Sequence, residues 1–68
     1  MKIYILTEIE TNGCDVSNYV FTTIEEVKAH FCYVLSECYA DESNADMENL
    51  IYSEEGFRMF VTEYDLQI

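Results

Sequence analysis

The chain has 68 residues, three of them Lys or Arg and fourteen Asp or Glu, for a formal net charge of −11. That length holds one domain, and so small a domain buries only about 60% of its unfolded surface, which leaves no room for a deep catalytic cleft. Half of the residues are apolar, too many for a disordered polyanion, and the few cations exclude a nucleic-acid footprint or docking to an anionic membrane.

Lys2 to Glu10 alternates, with Ile3, Ile5 and Ile9 on one face and Tyr4, Leu6, Glu8 and Glu10 on the other. Alternation with β-branched residues predicts a strand. Asn12-Gly13 is a turn signal, because both residues tolerate positive φ. Val16 to Thr22 is then the returning strand of a hairpin. At Thr23 the period changes. Thr23-Ile24-Glu25-Glu26 has the pattern of a capping box, in which Glu26 reaches back to the Thr23 amide. Ile24, Val27, Phe31, Val34, Leu35 and Cys38 follow as the apolar stripe of a helix over about 24–40. His30 falls away from that stripe and is expected to face solvent. Asp41 to Glu48 reads as a polar connection without the glycine and alternate oxygen ligands of a calcium loop. Leu50 to Ser53 and Phe57 to about Leu66 complete a second hairpin around Glu54-Glu55-Gly56.

Hairpin, helix, hairpin predicts an α+β domain spanning 1–68: a ββαββ chain whose four-stranded mixed sheet carries the helix on one face. The first and last strands are apolar on both faces over part of their length, which suits central positions and gives the strand order 2-1-4-3 with the central pair parallel. This layout resembles the β-grasp arrangement of small immunoglobulin-binding domains of bacterial surface proteins. The expected core is Ile3, Ile5, Ile9, Phe21, Val27, Phe31, Val34, Leu35, Cys38, Phe60, Tyr64 and Leu66.

No phosphate loop, dinucleotide fingerprint or nucleophile–base pair is present, so no enzyme activity and no cofactor are expected. His30 and Cys32 stand two apart and point in nearly opposite directions on a helix, so no metal is expected either. Cys14, Cys32 and Cys38 are odd in number and fit no secreted disulfide framework. No run reaches the ~18 apolar residues of a membrane span, and no secretory pattern opens the chain. A cytoplasmic protein is expected.

The acids carry more information. With strictly alternating element directions, Glu8, Glu10, Asp15, Glu37, Asp41, Glu42, Asp46, Glu48, Glu63 and Asp65 gather at one end without a base. Glu25, Glu26, Glu54 and Glu55 share the other end with Lys2, Lys28 and Arg58. Carboxylates at a helix C-terminus and on shared strand faces oppose stability, and sequences break such rules where function requires it. Glu8, Glu10, Glu37, Asp41, Glu42, Asp46, Glu48, Glu63 and Asp65 are therefore the expected partner-binding residues, with Tyr4, Tyr33 and Tyr39 as aromatic anchors. In size, charge and acidic end the chain resembles small inhibitors encoded by phages and mobile elements, the anti-CRISPR and anti-restriction DNA mimics. That resemblance implies a bacterial host cytoplasm and a basic nucleic-acid-binding target, such as a Cas effector or another defence nuclease. Two other roles stay open: an antitoxin-like partner of a basic toxin, and a homodimeric structural or adaptor protein paired through a sheet face of Tyr4, Leu6, Met59 and Val61.

Overall fold

A computed structural model describes residues 1–37 and 42–67. Strands β1 (Lys2–Glu10) and β2 (Asp15–Phe21) precede helix α1 (Ile24–Glu37). A short 3-10 turn (Glu42–Asn44) leads into β3 (Ala45–Asp46), β4 (Ile51–Glu54) and β5 (Phe57–Asp65). The fold is α+β. Among the described residues the sheet has five strands in the order β2-β1-β5-β4-β3, and every ladder is antiparallel.

Two features of the expected sheet are thereby corrected. It has five strands instead of four, and its central pair, β1 with β5, is antiparallel instead of parallel. Both follow from β3, which lies inside the segment read as a plain polar connection. Asp46 ends β3 and turns the chain: its Oδ1 accepts from the backbone N–H of Glu48 and Asn49, each at 3.1 Å, and its Oδ2 from the Asn49 side-chain amide at 2.9 Å. An Asp carboxylate that binds backbone amides two and three residues on is an Asx-type turn. This extra reversal flips the direction of β4 and β5, so the parallel centre of the β-grasp layout is absent.

The helix begins as its sequence suggests. The Thr23 hydroxyl accepts from the Glu26 amide at 3.2 Å, and the first helical bond runs from the Val27 amide to the Thr23 carbonyl at 3.3 Å. Glu26 returns the interaction by accepting from the Thr23 hydroxyl at 3.1 Å, not from the Thr23 amide. Val27, Phe31, Val34 and Leu35 are buried, as the stripe predicts, while Cys38 lies outside the described residues.

The sheet face under the helix is the opposite of the expected one. Leu6, Tyr52 and Met59 are fully buried there together with Leu50, and Tyr4, Phe21, Ala45, Phe57 and Val61 pack against them. Ile3, Ile5, Ile9 and Phe60, expected in the core, lie half-buried on the other face, and Tyr64 and Leu66 are exposed. Period two fixes which residues share a face but not which face receives the helix, and in β1 and β5 both faces offer apolar side chains. The chain returning from α1 decides the matter, because Leu50 and Tyr52 close the core on the Leu6 side. Leu50 does so at a φ of 54°, in the left-handed region that costs a branched side chain energy and persists here with its burial.

Candidate functional site

Because β1 and β5 are antiparallel neighbours, the β1–β2 loop and the β4–β5 turn meet at one end of the sheet. Glu10 pairs with Asp15 across one ladder and with Phe57 across the other. The Thr11 amide donates to the Gly56 carbonyl at 3.0 Å, joining the two turns. Gly56 has φ 90°, and a Cβ there would stand 2.9 Å from the Asn12 side-chain nitrogen, so two separate demands favour glycine. In the other loop, Cys14 takes the left-handed conformation, at φ 57°. The expected turn is present, with the positive φ one residue after Asn12-Gly13.

This joined end is lined by carboxylates. By register, Glu8, Glu10, Asp15 and Glu54 all lie on the helix side of the sheet, and Glu55 sits in the turn. The Asp15 and Glu10 carboxylates reach over Gly13, at 3.3 and 3.8 Å from where a Cβ would stand. Two shallow hollows open here, sharing Glu10 and Phe57. One continues to Glu54 and Glu55, and the other runs past Glu8 and Asp15 to Tyr19. The result is an aromatic floor rimmed by negative charge. Arg58 pairs with Ile9 and Ser53 and so lies on the opposite face of the sheet. Among the described residues, no ion pair falls at this end.

The single acidic end read from the sequence is divided. Glu63 and Asp65 belong to the far end, where the two chain termini are tied together. Lys2 Nζ stands 3.2 Å from Glu63 Oε1, and the terminal amine 3.6 Å from Asp65 Oδ1. The Met1 amine also donates to the Leu66 carbonyl, and the Leu66 amide to the Met1 carbonyl at 2.7 Å. The hydrogen bond and charge of Glu63 raise the Lys2 pKa above its ordinary value. Glu48 lines a hollow near Tyr4, Lys28 and Glu63, also remote from Glu8 and Glu10. Glu37 is the last residue of α1, and Glu42 begins the 3-10 turn. Asp41 and Tyr39 lie outside the described residues.

Of the expected anchors, Tyr4 is half-buried against the core, whereas Tyr33 is exposed, with its ring 6.2 Å from that of His30. Glu54 and Glu55, assigned from sequence to the opposite end, are the residues that join Glu8 and Glu10. The missed signal was Asp46-x-x-Asn49, whose side-chain chemistry announces the added reversal.

Asp46 also carries a pH dependence. The Asn49 side-chain amide first, then the backbone amides of Asn49 and Glu48, hold its carboxyl below the ordinary value of 3.8. A depressed folded-state pKa contributes stability that is present above the unfolded value and is lost as pH falls through the folded one. Asp46→Ala is expected to lower the thermal midpoint at neutral pH, with the gap to wild type closing in strong acid. A gap that stays constant with pH would refute the ionised turn.

His30 departs from its expected solvent-facing position. Its ring lies half-buried, 4.7 Å from Tyr19 and 5.4 Å from Phe21, and its Nε2 has no hydrogen-bond partner among the described residues. Cys14 and Cys32 are exposed free thiols. Among the described residues, no three His, Cys, Asp or Glu side chains are placed to hold a metal ion, and no helix is long and apolar enough to cross a membrane. Comparison with known proteins finds no family model, no curated protein and no solved structure that matches the chain.

Proposed function

We propose that the chain is a non-catalytic inhibitor that places its carboxylate-lined hairpin end in the basic groove of a bacterial nucleic-acid-binding protein, a defence nuclease in the anti-CRISPR manner. One observation carries this reading. The joined turns bring Glu8, Glu10, Asp15, Glu54 and Glu55 to one end around Phe57, and among the described residues no ion pair neutralises them.

Carboxylates accept charge-assisted hydrogen bonds from Arg and Lys much as phosphates do. A groove built to neutralise a nucleic-acid backbone therefore offers the complementary surface. A field of one sign speeds encounter with such a groove and makes the complex sensitive to salt. Tyr19 and Phe57 give the rim an apolar floor on which a partner's side chain can settle, and buried anchors of that type supply most interface energy. The working compartment under this reading is the bacterial cytoplasm.

The test is capture of the target at low salt, followed by displacement with DNA or RNA. Glu10→Lys with Glu55→Lys is expected to weaken the complex by more than ~1 kcal/mol, on the scale of close interfacial charge pairs. Glu25→Lys with Glu48→Lys changes the net charge equally, away from the joined turns, and should leave binding nearly intact. Equal losses from both pairs would reduce the acids to a solubility device.

A further inference from the structure

We propose that the sheet face opposite the helix, which no described element covers, seats a second copy of this chain, forming a face-to-face dimer. The inference stands on the side of the molecule opposite the helix and does not depend on the role given to the hairpin end.

An antiparallel sheet with one face packed on a helix usually turns polar side chains to solvent on the other. Here that pattern is reversed in two respects. The face away from the helix presents Ile3, Ile5, Ile9, Val20, Phe60 and Ile51 as adjoining cross-strand neighbours, with Val16 and Tyr64 extending the patch. Val16 is 62% exposed and Val20 63%. Between these residues lie uncharged Thr7, Asn18, Thr62 and Ser53. Thr7 and Asn18 are already joined by a 2.8 Å hydrogen bond from the Thr7 hydroxyl to the Asn18 side-chain oxygen.

The acids avoid this face. Glu8, Glu10, Asp15, Glu54, Glu63 and Asp65 all project to the helix side by register. Arg58 is the cation that the face carries, and Asp46, at the β3 edge, is committed to its turn. A protein of net charge −11 that needed only solubility would place carboxylates where its apolar surface is broadest. This one withholds them there.

The size of the face suits a second copy. Four strands about 4.8 Å apart, of the lengths seen here, give a projected area on the order of 500 Å², and the protruding side chains add to it. A standard interface buries roughly 600–1,000 Å² on each partner, so one such face is close to the whole requirement. An apolar sheet face rich in β-branched residues is also self-complementary, because two sheets pack face to face about 10 Å apart with their strands nearly aligned. In that arrangement the strand carboxylates of the two copies lie on the outer sides, behind both sheets. Separations beyond ~8 Å are largely screened at physiological ionic strength, so the like charges do not prevent association. The gain is considerable for a chain this short, in which few of the described side chains are fully buried.

Sedimentation equilibrium of the full chain, from micromolar to near-millimolar concentration and at low and high salt, tests the proposal. The expected mass is twice the chain's 8.0 kDa, retained or strengthened in high salt. Val16→Lys with Val20→Lys is expected to raise the dissociation constant at least ten-fold while leaving the circular dichroism unchanged. If that variant does not fold, Ile51→Lys, at a position 46% exposed across the sheet, serves the same purpose. Glu10→Lys with Glu55→Lys should leave the dimer intact. A wild-type chain that stays monomeric throughout overturns the proposal, as does a dimer that survives lysine on this face or dissociates in salt.

Discussion

Leu6→Ala is expected to cost about 2–5 kcal/mol and Phe31→Ala about 3–5 kcal/mol, because each removes a fully buried side chain and leaves a cavity between helix and sheet. Domain stability runs at about 0.05–0.15 kcal/mol per residue, so a chain of this length has roughly 3–10 kcal/mol in total. Either change therefore removes a large part of it, and at the lower end of that range Phe31→Ala unfolds the chain at ambient temperature. The informative comparison is within β1. Ile5 is adjacent to Leu6 but faces away from the helix and is half-buried. Ile5→Ala in dilute solution should cost distinctly less than Leu6→Ala. Denaturant midpoints at fixed low concentration measure both. A larger loss at Ile5 would mean that the helix packs on the isoleucine face after all.

That comparison also marks the boundary of what the sequence could convey. The stripe Val27, Phe31, Val34 and Leu35 was legible because a helix has one apolar side, and the structure buries those residues. The hairpins were legible from alternation and turn residues. The covered face was not, because Ile3, Ile5 and Ile9 compete with Tyr4 and Leu6 on equal chemical terms. Burial is settled by Leu50 and Tyr52, which join Leu6 and Met59 in the core under the helix. β3 was illegible for a different reason: two residues have no measurable period, and only the side chain of Asp46 marks the reversal. That one omission inverted the direction of β5 and set Glu63 and Asp65 beside Glu8 and Glu10, whereas the antiparallel register holds them at the Lys2 end. The candidate site inherited the error. Glu8 and Glu10 remain in it, and Glu54 and Glu55 replace the residues that left.

Gly56→Ala is expected to destabilise the chain by about 1–3 kcal/mol, out of proportion to the addition of one methyl group in a turn. At φ 90° an L side chain is strained wherever it points, a cost of order 1–3 kcal/mol. The new Cβ would also meet the Asn12 side chain at 2.9 Å. Asn12 can swing away, but it then leaves the β4–β5 turn to which its own loop is joined. The bond at risk is the one from the Thr11 amide to the Gly56 carbonyl. Hydrogen exchange at Thr11 should accelerate in Gly56→Ala by more than the change in global stability accounts for, while the amides of α1 should not. Asn12→Ala with Gly56→Ala separates the two causes, since it removes the close approach and leaves the φ penalty. If the double variant recovers wild-type stability, steric contact alone dictated the glycine. If it recovers only part, the turn itself requires a left-handed residue, and the geometry that brings Glu10 beside Glu54 and Glu55 depends on that backbone conformation.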